Sequence, residues 1–363
     1  MTITRPIELY GFMVLMVTLT ISCANKGPTD HEIATSSRDN STSIDTLKFT
    51  SGIRSIFQDK YGNYWFGSLQ EGIAMYDGSE FTYFTANEGL HDNQIRDIDG
   101  DETGRVWIST AHGICSYDGD SITNHTPSMS AISQGDWSKS EHDLWFNGGN
   151  QRGVFQYDGT SVKFLAFPEP VVHNPYNVYF VTGISQGSSE MVWIATYAGL
   201  FGYNGSEFTI INDQTLNLSP ETGELHIRSI LEDSEGRLWI GNNGIGVFLK
   251  ENDSIYNFSK SQGLMHPAAS FRSTSERGDL SPPGTLEHVF TLTEDGSGNI
   301  WFGDRDGGIW KYDGQTMYNY TESDGLAEDF ALSIYEDRSG NLWFGMANGE
   351  VYTFNGNSFD RKH

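Results

Sequence analysis

The 363-residue sequence predicts an all-β fold, a single seven-bladed β-propeller of four-stranded antiparallel blades, on three observations. Trp65, Trp107, Trp145, Trp193, Trp239, Trp301 and Trp343 recur at intervals of 38 to 62 residues, the period of a blade repeat. Aromatic residues at 13% and 41 glycines suit many short strands joined by tight turns, not a helical bundle. The stretch "SIFQDKYGNYWFGSLQEGIAMYDGSEFTYFT" (55–85) returns nearly intact as "SIYEDRSGNLWFGMANGEVYTFNGNSF" (333–359).

Each part of a blade is legible in the first copy. "IRSIFQD" (53–59) alternates apolar and polar residues, as an innermost strand does. "DKYGN" is a turn in which Gly62 is free to take positive φ, and "YWFGS" (64–68) is the second strand. After "LQEG", the run "IAMYDGSEFTYF" (73–84) is two strands joined at Asp77-Gly78, a strong hairpin signal. The first turn recurs as "DETGRVW" (101–107), "DSEGRLW" (233–239), "DGSGNIW" (295–301) and "DRSGNLW" (337–343). Copies three and four depart there, with "SKSEHDLW" (138–145) and "GSSEMVW" (187–193), and copy five replaces the hairpin glycine by "LKEND" (249–253).

One such blade cannot bury both of its faces. Seven around an axis bury each against its neighbours, so the repeated tryptophans are expected in the inter-blade core. Only Ser51 and Gly52 separate "TLKFT" (46–50) from the first inner strand. Two residues span at most ~7 Å, whereas crossing a blade from outer edge to inner strand takes roughly 14 Å. "SFDR" (358–361) is therefore expected to be the last blade's own outer strand, with residues 46–50 a lead-in.

Residues 1–22 are expected to be a lipoprotein signal peptide. Arg5 precedes an apolar run, Leu9–Ile21, too short to span a bilayer, and "LTISC" ends at Cys23. Cys23 is the expected lipidation site, residues 23–45 a flexible tether, and 46–363 the propeller. Cys115 is the only other cysteine, so the fold must hold without an internal disulfide. The expected location is the cell envelope, anchored by lipid at the outer membrane and facing the periplasm or the surface. With 22 basic against 48 acidic residues the net charge is −26, which argues against nucleic acid as a partner.

The run I-x-x-D-x-x-G-N-x-W-F-G-x-x-x-x-G, best matched at 56–72 and 334–349, resembles the two-component regulator propeller repeat. The resemblance covers about residues 50–363. It implies a propeller of the kind found in periplasmic sensor regions of hybrid sensor kinases, some of which bind oligosaccharides. The 363 residues show one propeller and no kinase pattern, so what carries over is fold, compartment and ligand class, not catalysis.

The expected site lies where the loops from each outer strand to the next inner strand gather at one mouth of the channel. His91, His173, His226, His266 and His288 fall in these loops. Aligned on Ile56, Ile98 and Ile230, the residue two before is Arg54, Arg96 and Arg228. These arginines are expected to converge near the channel, where an anionic ligand such as a uronate or sulfated sugar would suit them; pairing with loop acids such as Asp92 or Glu224 is the structural alternative. The ligand-binding candidates are thus Arg54, Arg96, Arg228, His91, His226 and His288.

"DIDGDETG" (97–104) has the composition of a calcium loop, but its glycine is at 100 and Ile108 stands where the bidentate Glu belongs. It is read as a strand end and turn. No catalytic residues, metal ligands or cofactor are assigned, since neither histidine spacing, nucleophile elbow nor phosphate-cradling loop is present. The partner is expected to be an oligosaccharide or other small ligand, or an envelope protein, with membrane contact through the lipid alone. Two other functions fit the fold. One is a propeller enzyme such as a polysaccharide lyase or lactonase. The other is a docking scaffold using the insertion at 259–288, with Met265, Phe271 and Pro282-Pro283.

Overall fold

The computed structural model describes residues 46–126, 137–149, 151–168, 180–187, 190–219, 222–266 and 281–363. The signal segment, Cys23, the tether, His173 and Phe271 lie outside the described residues. No helix among the described residues is long and apolar enough to cross a membrane.

The chain is a seven-bladed β-propeller. Blade 1 comprises Ile53–Gln58, Tyr64–Ser68, Ile73–Tyr76 and Phe81–Phe84, antiparallel and adjacent in chain order from axis to rim. Five further blades repeat that order. Their inner strands are Ile95–Gly100, Val181–Ser185, Ile227–Glu232, Val289–Glu294 and Ala331–Glu336. Blade 3 shows Leu144–Asn147, Gly153–Tyr157 and Val162–Ala166. In the blade 5 hairpin, which lacks the glycine, Asn252 takes the left-handed conformation at φ 53°.

One hydrogen-bonded device recurs at the first turn. The carboxylates of Asp59, Asp101, Asp233, Asp295 and Asp337 each accept the indole N–H of the tryptophan six residues on, at 2.7–3.0 Å. In Asp337 the other oxygen accepts the backbone N–H groups of Ser339 and Asn341, at 2.8 and 2.9 Å. One side chain thereby closes the turn and fixes the tryptophan. Blade 3 has Lys139 at the equivalent place, and the buried Trp145 indole N–H has no partner.

Each fixed tryptophan packs across to the next blade. Trp65 is fully buried against Ile95, Ile98, Val106 and Ile108 of blade 2. Trp343 of blade 7 packs on Ile53 and Phe66 of blade 1. The glycine two residues after Trp65, Trp239, Trp301 and Trp343 lets the neighbouring inner strand approach. A Cβ on Gly67 would lie 2.6 Å from Ile95 Cγ2, and one on Gly345 2.8 Å from Ile53 Cβ.

The ring closes as the reach argument requires. Phe359–Arg361 pairs with Val351–Phe354 as blade 7's own outer strand. Residues 46–50 join no ladder; the N–H groups of Thr50 and Ser51 donate to Glu71 Oε2 at 2.9 and 2.7 Å, and Phe49 is buried at the seam. Across that seam Ser333 Oγ donates to the Ile53 carbonyl at 2.9 Å and the Tyr64 hydroxyl to Asp337 at 2.8 Å. "DIDGDETG" is the end of an inner strand followed by a turn.

Two outcomes follow. Trp65→Ala should cost roughly 3–5 kcal/mol in urea denaturation, by the transfer and cavity terms together. Burial pushes the Asp337 carboxyl up, but the hydrogen bonds from Trp343, Asn341 and Tyr64 outweigh it and hold it at about 2. The stabilisation is therefore present above the unfolded value near 3.8 and is lost as pH falls towards 2. Denaturation midpoints should drop between pH 4 and 2, and less so in Asp337→Asn, which starts less stable at pH 7.

Candidate functional site

Every described inner strand of blades 1, 2 and 4 to 7 breaks register at the same place. The break falls between Ile53 and Ser55, Ile95 and Asp97, Val181 and Gly183, Ile227 and Ser229, Val289 and Thr291, and Ala331 and Ser333. The extra residue of a bulge has no ladder partner opposite, so its side chain is re-aimed. Here those residues are Arg54, Arg96, Thr182, Arg228, Phe290 and Leu332, and all six line a cavity of about 630 Å³ on the axis. Asn147 brings blade 3 to the same cavity.

The three aligned arginines thus converge as expected. No ion pair among the described residues engages Arg54, Arg96 or Arg228, so pairing with Asp92 or Glu224 does not occur there. Asp92 is instead 2.7 Å from His112 Nδ1. Arg96 donates to Gln94 Oε1 at 3.1 Å, and its buried Nε has no partner. Arg228 is held most firmly: it donates to the Tyr197 hydroxyl at 2.8 Å, and its guanidinium lies 4.2 Å from the ring centre of Phe290 and 5.3 Å from that of Tyr197. Burial, with Arg96 and Arg228 nearby, lowers Arg54 to about 10, so it remains charged at neutral pH. Burial also lowers Arg96 and Arg228.

Asp97 is the acidic residue of the lining. It lines the cavity wall; burial raises its carboxyl, against the Ile98 N–H, Ser55 and Arg54. Arg305 is a fourth lining arginine, engaged by Asp306 through two hydrogen bonds at 3.0 and 2.7 Å.

The histidines separate. His226 lines the cavity two residues before Arg228, its ring edge-on to Tyr197 at 4.7 Å. Burial, Arg228 and His288 lower it to about 4, so it is neutral at pH 7. His288 occupies the equivalent place on blade 6 and is buried, with Nδ1 2.7 Å from Asn243 Oδ1 and Nε2 4.0 Å from Asp306. His91 is exposed on the loop between blades 1 and 2 and does not line the cavity. Among the described residues no group of three or more His, Cys, Asp or Glu is placed to hold a metal ion. Burial pushes the Cys115 thiol up to about 11, which leaves it a core residue without nucleophilic character.

Thr182, Phe290 and Leu332 were within reach of the same alignment. They stand two before Ile184, Leu292 and Ile334, and go unnoticed only because the residue there is not arginine. Arg305 stands four after Trp301, where the other blades place Leu69, Ala111, Gly149, Tyr197, Asn243 and Ala347.

Fold and cavity define a propeller with an arginine-lined axial pocket. Residues 48–70, 223–244 and 325–348 match the family described as Two component regulator propeller, in agreement with the repeat resemblance. No curated protein matches the sequence. Among solved structures, the extracellular domain assigned to a hybrid two component system of B. thetaiotaomicron superposes with a TM-score of 0.62 at 22% identity, over 88% of this chain and 40% of that one. The chain thus spans less than half the length of that domain. Virginiamycin B lyase from Staphylococcus aureus is similar over 84% of this chain and 95% of its own, with a TM-score of 0.59 at 14% identity. PorZ of Porphyromonas gingivalis, a surface component of the type-IX secretion system, matches over 86% of this chain and 47% of its own, with a TM-score of 0.57 at 17% identity. At these identities the likenesses speak for the fold.

Gathering three cations that have no ion-pair partner among the described residues disfavours the fold. Arg54→Met should raise its stability by on the order of 1 kcal/mol. Added salt should raise the wild-type melting temperature more than that of the variant, because it screens the repulsion that the variant lacks.

Proposed function

We propose that the protein is a sensor-like binder of the cell envelope, anchored through Cys23, that captures a small anionic ligand in the axial pocket, best matched by an oligosaccharide carrying uronate or sulfate groups. The observation that carries this reading is the set of Arg54, Arg96 and Arg228, which face one cavity with no ion-pair partner among the described residues in a chain of net charge −26. Guanidinium forks bind carboxylate and sulfate oxygens in pairs, and a partly desolvated site strengthens such bonds. His226, neutral at pH 7, offers a hydrogen bond without adding charge. The likeness to extracellular sensor domains supports the compartment, and the sugar component is what the repeat resemblance implies.

A thermal-shift screen of the purified protein against acidic, neutral and sulfated oligosaccharides tests this. A ligand at a hundred times its dissociation constant stabilises by about 2.7 kcal/mol. An upward shift with acidic glycans, lost in Arg96→Ala/Arg228→Ala with the fold retained by circular dichroism, is the expected result. Binding that survives the double substitution removes the arginines from the site. No shift with any glycan turns the reading towards protein docking.

A further inference from the structure

The bulge positions carry more than positive charge, because their order around the axis is fixed by blade number. With seven blades, the one facing the gap between blades 1 and 2 is blade 5. Arg54 and Arg96 are the bulge residues of blades 1 and 2, and Arg228 is that of blade 5. The bulges that carry the cations therefore stand on opposite sides of one cavity, two poles near enough that, after burial, Arg228 still lowers Arg54 and Arg96 lowers Arg228. Between the poles, Phe290 and Leu332 of blades 6 and 7 give one side an apolar part, beside Arg305, whose charge Asp306 engages, and Thr182 of blade 4 stands on the other side.

Building on the anion-binding reading above, we infer that the pocket is built for a ligand with two anionic groups at its two ends, one held by Arg54 and Arg96 and the other by Arg228. Three observations carry it. No carboxylate among the described residues lies within ion-pair distance of any of the three. Two buried polar atoms of the ring, Arg96 Nε and Thr182 Oγ1, have no hydrogen-bond partner, so each pole has an unused polar group on or beside it. Arg228 is fixed by Tyr197 and Phe290, and a preorganised fork loses little entropy on binding. Asp97, beside Arg54, offsets part of the charge at the first pole and none at the second. The apolar part of the lining would cover the body of the ligand, as the carbon-bound hydrogens of a sugar ring cover an aromatic or aliphatic side chain.

The test is calorimetric titration of the whole protein at low salt with galacturonate, its dimer and trimer, and neutral galactobiose. A dimer or trimer engaging both poles should bind at least about tenfold more tightly than galacturonate, since the second contact is intramolecular. Arg228→Gln should bring that affinity down to the level of galacturonate, and Arg54→Gln/Arg96→Gln should weaken every acidic ligand. Melting temperatures of all variants confirm that the fold is kept. Equal affinity for monomer and oligomers, or an equal loss for all of them in Arg228→Gln, overturns the two-pole pocket and leaves the anion-binding reading standing. Binding of galactobiose as tight as that of its acidic counterparts, or no binding of any acidic ligand, overturns both.

Discussion

The bond from a turn aspartate to an indole N–H six residues later is the interaction on which the architecture rests. A tryptophan can bury its large apolar surface between blades only if its single polar atom is satisfied. The aspartate does this with one oxygen while the other closes the turn that delivers the strand. Turn geometry, strand register and inter-blade packing are thus set by one side chain, and five blades use it. Blade 3 shows what its loss entails. Asp143 accepts from Gln156 Nε2 and the Ser140 N–H instead, and Trp145 keeps an unsatisfied indole.

The inner strands have a different task. Once past the bulge they return to register, and residues such as Ile56, Ile98 and Ile230 enter the core. Serines just after the bulge tie neighbours together near the axis: Ser229 Oγ donates to the Val289 carbonyl at 3.3 Å, and Ser333 Oγ to that of Ile53 at 2.9 Å. The scaffold is therefore rigid immediately below the ring of channel-facing side chains, which is the condition for a site whose groups hold their positions.

The repeat made the fold legible, because Asp, Gly and Trp at fixed spacing each serve a local geometric need that recurs. The closing strand was legible too, since two residues cannot cross a blade. The pocket was legible only in part. Arg54, Arg96 and Arg228 stood out as one residue type at one aligned position, whereas Thr182, Phe290 and Leu332 occupy that position without sharing a type. The bulge that unites them leaves no compositional mark of the kind a turn glycine leaves. His91 sits on the exposed part of its loop and outside the cavity lining, because loop membership places a residue near a mouth without deciding which way it faces.

The bulge also separates two kinds of information within one repeat. A residue with no partner in the ladder can change its chemistry without disturbing strand pairing, and the aspartate, glycine and tryptophan that hold the blade are elsewhere in the copy. A gene encoding such a chain can therefore rewrite its channel-facing surface one codon per blade while its architecture stays under separate constraint. The propeller behaves as a combination lock whose wheels turn independently on a fixed spindle, and duplicated copies can change what lines the channel without first passing through an unfolded ancestor.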